Sequence, residues 1–156
     1  MYRTIRKSRS GFTLIEILIV VIILGILAAI VIPQFSSASN DARKSNVQTT
    51  VQTLRSQIAL YKLQHQDALP DLVTNWDQLT KKTDATGSTT PAVGAQTFGP
   101  YMQDTPVNSL NSLSTVANGD GSAAAATSVG FVYDYAAAAG TGKIWGTDID
   151  GKTLIP

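Results

Sequence analysis

Glu16 is the residue whose surroundings most need a chemical explanation. It is the only charged side chain between Arg9 and Asp41, and it lies inside an apolar run from Phe12 to Ile32. A carboxylate at that depth in a hydrophobic segment is costly and marks a function; here that function reads as assembly, not catalysis. Just upstream, Arg3, Arg6, Lys7 and Arg9 form a basic leader that ends in Gly11. Few other groups could do chemistry. The single histidine, His65, has no cysteine or acidic motif beside it and is expected at the surface or capping the end of a helix. No zinc-ligand spacing and no phosphate-cradling glycine loop is present, so nothing supports an enzyme.

The elements that must carry Glu16 follow from the apolar run. Phe12–Ile32 covers 21 residues, which as a helix would span about 31 Å, close to the hydrocarbon thickness of a bilayer. A helix is required because lipid cannot satisfy free backbone groups. The many β-branched residues are no objection, since intrinsic propensity yields to environment. Four positive charges precede the run and no acidic residue accompanies them, which keeps the N-terminus cytoplasmic and sends the remainder across. A secretory signal peptide would have a shorter apolar core and a small-residue cleavage site. Ser36-Ser37-Ala38 is only a weak match to such a site, and that reading leaves Glu16 unexplained. A plain signal anchor is the other simple alternative.

The hexapeptide Gly11-Phe12-Thr13-Leu14-Ile15-Glu16 after a short basic leader resembles the class III signal of type IV pilins and type II secretion pseudopilins. The resemblance is strong over residues 3–35 and looser through the helix that follows. It implies cleavage by a prepilin peptidase between Gly11 and Phe12, followed by N-methylation of Phe12. It also makes Glu16 the family's assembly glutamate and Pro33 its helix-bending proline.

The chemistry of the residues agrees with this. A glycine before the cut lets a protease approach the backbone closely. Cleavage would leave a cationic amine on Phe12, four residues before Glu16. In a helical filament that amine can meet the glutamate of a neighbouring copy; alternatively Glu16 pairs with its own amine one turn away. A desolvated pair of this kind sets register better than it adds stability. Cleavage also changes the charge. The whole chain has 12 basic and 11 acidic residues; without the four basic leader residues, 8 and 11 remain, a net of −3. No basic patch of the kind nucleic-acid binding needs is left.

Beyond Pro33 the helical pattern weakens, a kink is expected near Val31–Pro33, and then the pattern returns. Val47, Val51, Leu54, Ile58 and Tyr61 recur at spacings of 4, 3, 4 and 3, a single apolar stripe that predicts core packing against a following sheet. One long helix is therefore predicted from Phe12 to about His65. Residues 71–80 read as a short helix, and Lys81–Gln96 as a loop. Val129–Tyr135 reads as a half-buried strand, Lys143–Trp145 as a second, and Ile149–Ile155 as a short last one. Gly140-Thr141-Gly142 is a hairpin signal between the first two. Asn118–Ser122 and the alanines after it read as a loop or turn.

The layout is α+β: a long N-terminal helix packed on a small antiparallel β-sheet, which resembles the pilin fold. Its parts are a leader (1–11), a transmembrane half-helix (12–33), an amphipathic half-helix (34–66) and a small C-terminal domain (67–156). The C-terminal segments look most like the major pseudopilin of type II secretion. Many pilins close this region with a disulfide, and a chain without cysteine must hold it by other means. The resemblance implies calcium in a C-terminal loop. Asp148 and Asp150 offer two carboxylates, with Asp134 or Asp120 as a third, but Asp-x-Asp-Gly also serves as a plain solvated turn.

The functional expectation is a filament subunit in the bacterial inner membrane, single-pass, with its C-terminal domain outside the cytoplasm. Its expected partners are copies of itself, other pseudopilins, the prepilin peptidase, the inner-membrane assembly platform with its ATPase, and lipid; no direct nucleic-acid contact is expected. A type IV pilus subunit and a monomeric membrane-anchored binding module are the alternatives.

Overall fold

The computed structural model of the 156-residue chain describes residues 11–122, 125, 127–135 and 140–155. The basic leader residues Arg3, Arg6, Lys7 and Arg9 lie outside the described residues, as do alanines 123, 124, 126 and 136–139. The chain divides into two compact units, Met1–Ser39 and Asn40–Pro156. One helix, α1 (Leu14–Gln64), has residues in both.

In the first unit every described residue is exposed, including the whole apolar run. This part of α1 is long and apolar enough to cross a membrane, with a mean hydropathy of 3.3 over its most apolar stretch. Helical assignment continues through Pro33. Pro33 lacks an N–H, so the carbonyl of Ala29 loses its usual donor; the Ser37 hydroxyl donates to the Pro33 carbonyl at 3.2 Å.

In the second unit the apolar stripe behaves as its spacing predicts. Val47, Val51, Leu54, Ile58 and Tyr61 are the buried residues of α1. The helix stops where Gln66 and Asp67 turn to positive φ (54° and 64°) and the Asp67 amide donates back to the Lys62 carbonyl at 2.9 Å, the left-handed ending common at helix C-termini. A one-turn helix, α2 (Asp77–Thr80), follows inside the segment expected to hold it.

Among the described residues the unit also holds six short strands: β1 (Thr83–Asp84), β2 (Thr97–Phe98), β3 (Val116–Asn118), β4 (Phe131–Tyr133), β5 (Ile144–Thr147) and β6 (Leu154–Ile155). β1 and β2 pair antiparallel, and β3-β4-β5-β6 form a four-stranded sheet. Its β4–β5 and β5–β6 pairs are antiparallel, whereas β3 runs parallel to β4. The sheet is thus mixed. Three strands were not expected: β1 inside the presumed loop 81–96, β2 directly after that loop, and β3, which takes in Asn118 at the start of the presumed turn. All three are too short to show an alternating pattern, and their pairing is supplied by distant residues.

β4 corrects a further expectation. It is buried on both faces, not half-buried: Phe131, Val132 and Tyr133 are all inside. Phe131 and Tyr133 join the stripe of α1, Trp76 and Ile144 in one core. Val132 points the other way, where the Gly119 position lies against its side chain and Gly121 lies against the Trp145 ring. The turn after β3 therefore covers the outer face.

Glycine lets β5 come close to α1. A Cβ on Gly146 would run into the Val47 side chain. Interiors are packed too densely to absorb such an atom without shifts. Gly146→Ala is expected to cost about 1–3 kcal/mol, read as a lower urea midpoint of tryptophan fluorescence; an unchanged midpoint would mean that Val47 moves aside freely.

Candidate functional site

The N-terminal constellation is built from four residues, Gly11, Phe12, Thr13 and Glu16, at the start of one helix. Gly11 is exposed and its missing Cβ would meet nothing within 4 Å, so its backbone is open to approach. Phe12 is 80% exposed. Thr13 directly precedes α1, and its hydroxyl accepts from the Glu16 amide at 3.3 Å. In return the Glu16 carboxylate accepts from the Thr13 amide, also at 3.3 Å. This is a capping box, two free amides of the helix start satisfied reciprocally. The positive end of the helix dipole favours the carboxylate there. Thr13-Leu14-Ile15-Glu16 carries the Ser/Thr-x-x-Glu signature of such a box. It was legible in the sequence, yet the reading of Glu16 as an assembly residue took no account of it. The structure thus gives Glu16 a partner within its own chain and beside the residue that would become the amine terminus. Pro33 lies inside α1, among exposed Val31, Gln34, Phe35 and Ala38, which line a shallow cleft.

His65 lies elsewhere than expected. It is 1% exposed, with Nδ1 at 2.9 Å from the Tyr61 carbonyl and Nε2 at 2.9 Å from the Thr83 hydroxyl. A carbonyl only accepts, so Nδ1 carries a proton and donates it to Tyr61. The ring stacks on Tyr61 at 3.8 Å and meets Phe98 edge-on. It does cap a carbonyl of the last helical turn, but from within the core, because β1 and β2 fold over it. It is a structural residue tying β1 to α1.

The acidic residues of the C-terminal region do not gather. Asp134 accepts from the Thr141 amide and hydroxyl, and Asp120 from the Ser122 amide and hydroxyl. Asp148 accepts from the Ile149 amide at 2.7 Å. Asp150 accepts from the amides of Lys152 and Thr153, both at 2.8 Å, and from the Thr153 hydroxyl at 2.6 Å. Among the described residues no group of three His, Cys, Asp or Glu is placed to hold a metal ion. The donor set does not fit calcium, which needs 6–8 oxygens.

Those contacts hold the Asp150 carboxyl down at about 2, the Thr153 hydroxyl contributing most. Asp84 and Asp120 are lowered for the same reason, by Thr86 and Ser122. A carboxyl whose folded value is lowered stabilises the fold above its ordinary value of 3.8 and loses that contribution as pH falls toward about 2.

A polar cluster that the sequence reading did not single out lies under the sheet. Asn108 is fully buried, its amide nitrogen donating to the carbonyls of Gly130 (2.8 Å) and Thr147 (2.7 Å). Asn111 donates to the carbonyls of Val129 and Asp148 (3.1 Å each) and to the Thr147 hydroxyl (2.9 Å).

Against this geometry, known proteins show a consistent likeness. The prokaryotic N-terminal methylation motif matches residues 6–32. The type II secretion system core protein G of Pseudomonas aeruginosa is 40% identical over 77 residues, 49% of this chain and 54% of that protein. The type IV narrow pilus major component PilA5 of Thermus thermophilus is 44% identical over 55 residues, 35% of this chain and 47% of its own. The competence protein ComGC of Halalkalibacterium halodurans is 34% identical over 74 residues, 47% of this chain and 69% of its own. The chain spans about half the length of the first of these relatives. No solved structure matches. The chain belongs to the family of type IV pilins and type II secretion pseudopilins, as the motif, the α+β fold and these relatives together establish.

The lowered carboxyls give an acid test. The thermal midpoint of the second unit, followed by Trp76 and Trp145, is expected to fall between about pH 4 and pH 2. Asp150→Asn is expected to flatten part of that fall. A midpoint constant across this range would show that the side-chain contacts of Asp150 do not stabilise the fold.

Proposed function

We propose that the chain is a structural subunit of a type II secretion pseudopilus. It is cut between Gly11 and Phe12 by a prepilin peptidase, N-methylated on Phe12 and held in the inner membrane by residues 12–33. Its C-terminal domain lies on the far side of that membrane. From there it polymerises with copies of itself and with other pseudopilins, driven by an assembly platform and ATPase. It is a structural protein and carries out no catalysis.

The observation that carries this reading is the pairing of Thr13 with Glu16 at the exposed start of a membrane-length helix. An unpaired glutamate in a bilayer costs about 2.5–3.5 kcal/mol on insertion scales. The capping box meets part of that need in the single chain. Cleavage would add a cation at Phe12 within reach of the same carboxylate. A neighbour's amine can then replace the Thr13 amide as its partner, and the exchange would favour the filament over the isolated subunit.

A type IV pilus is the second reading. It is favoured by the likeness to PilA5 and by ComGC, of which the match covers more than of the Pseudomonas protein. Such a fibre would serve adhesion, motility or DNA uptake at the surface.

Two experiments test the assembly chemistry. Intact mass of the protein from membranes containing a prepilin peptidase is expected to show a chain beginning at Phe12 with one added methyl group, and Gly11→Ala is expected to leave most of it uncut. A full-length wild-type chain would remove the processing step. Glu16→Ala is expected to be processed and inserted normally but to give no filaments by electron microscopy; filaments at wild-type abundance would remove the role given to the carboxylate.

A further inference from the structure

The turn between β5 and β6 is where the resemblance to the major pseudopilins implies calcium, and most of that turn's oxygens are already taken. Asp148–Gly151 closes with the Gly151 amide donating to the Asp148 carbonyl at 2.8 Å. That carbonyl also accepts from Asn111 at 3.1 Å, so both its lone pairs are in use. The Asp150 carbonyl accepts from the Ser128 hydroxyl at 3.2 Å, and the Gly151 carbonyl from the Val129 amide at 2.9 Å. The carbonyls of Lys152 and Thr153 accept from the amides of Ala125 and Asp148. Both Asp150 carboxylate oxygens hold donors from Lys152 and Thr153. Among the described oxygens of the turn's two carboxylates, only one, Oδ2 of Asp148, has no donor.

We infer that this chain closes its C-terminal turn without calcium, using a hydrogen-bonded latch in which Thr153, Ser128 and Asn111 supply the donors that a cation would otherwise replace. The chemistry favours the latch. A calcium ion taking the Asp148 and Gly151 carbonyls would have to displace the amides of the buried Gly151 and Val129 and of the half-buried Asn111, leaving them without partners. It would also have to collect 6–8 oxygens from a turn offering one uncommitted carboxylate oxygen. Gly151 sits at φ 68°, a conformation that favours glycine, and a Cβ there would lie 3.0–3.1 Å from Ser128 and the Val129 nitrogen, tighter than ordinary contact. The turn is therefore fixed on β4's approach segment by direct contact. Behind it, Asn108 and Asn111 bind Thr147 and the carbonyls of 129 and 130, extending the same network into the core. This inference is independent of which filament the chain builds.

The test is the thermal midpoint of the full chain in detergent, read by tryptophan fluorescence with millimolar calcium and with excess chelator. Both tryptophans, Trp76 and Trp145, lie in the second unit. The expected result is the same midpoint in both conditions. A midpoint several degrees higher with calcium, the mass-action signature of a bound ion, would overturn the inference. Thr153→Val is expected to lower the midpoint by about 4 °C or more, equally with and without calcium, and Thr153→Ser, which keeps the hydroxyl, to restore it. A Thr153→Val midpoint equal to wild type, or a loss seen only with calcium present, would also overturn it. Should Thr153→Val fail to fold, the wild-type comparison decides alone.

Discussion

The contact between one face of α1 and the β4–β5 pair is what the rest of the second unit depends on. A sheet of four strands, each of two to four residues, cannot bury a core by itself. The stripe Val47, Val51, Leu54, Ile58 and Tyr61 supplies the opposing layer. The approach is close because glycine stands at two points along it: Gly146 against Val47, and Gly142 against Ile58 and Leu69. Small domains are short of buried area, and here the helix makes up the difference. The turn after β3 then seals the outer face, so that β4 becomes an interior strand in a sheet that would otherwise have one wet side.

Polar groups do the fastening in the second unit, where no disulfide can form. The chain has no cysteine. Asn108 and Asn111 instead cross-link the segment before β3 to the ends of β4 and β5, His65 fastens β1 to the last turn of α1, and Trp76 donates to the Ser114 carbonyl at 2.7 Å. Asn108 and Trp76 reach backbone carbonyls, and His65 and Asn111 reach the hydroxyls of Thr83 and Thr147, each bond spanning a long stretch of sequence. Buried donors and acceptors that pair in only one arrangement penalise every other arrangement. Such a network selects one packing of short strands whose own pairing is weakly specified. Tyr133 is the exception: its hydroxyl is buried with no partner among the described residues, and burial raises its ionisation well above the ordinary tyrosine range.

α1 carries two kinds of surface. Its first unit offers an apolar surface on all sides, which suits lipid; its second unit offers an apolar stripe on one side, which suits a protein core. The helix start carries the one charge of the apolar run, and the capping box gives that charge a partner before any second copy is involved. The same carboxylate therefore serves local structure and, in the proposed filament, recognition.

The sequence by itself determined the helix and its division of labour. Periodicity over many turns is a strong signal, so the apolar run, the stripe and the hairpin of β4 and β5 could all be read in advance. The signature Gly11–Glu16 was readable because every residue in it is local to the others, and so, in principle, was the capping box. Only the tertiary structure decided the rest. β1 and β3 exist because distant segments pair with them; two or three residues hold no period. His65 became a core residue because β1 and β2 fold over the helix end. Asn108 became a cross-link because Gly130 and Thr147 arrive beside it from sequence separations of 22 and 39 residues. The acidic turn at 148–151 offered either carboxylates for a cation or acceptors for its own donors. Which of these it is depends on Asn111 and Ser128, brought in from other parts of the chain, and no spacing within the turn encodes them.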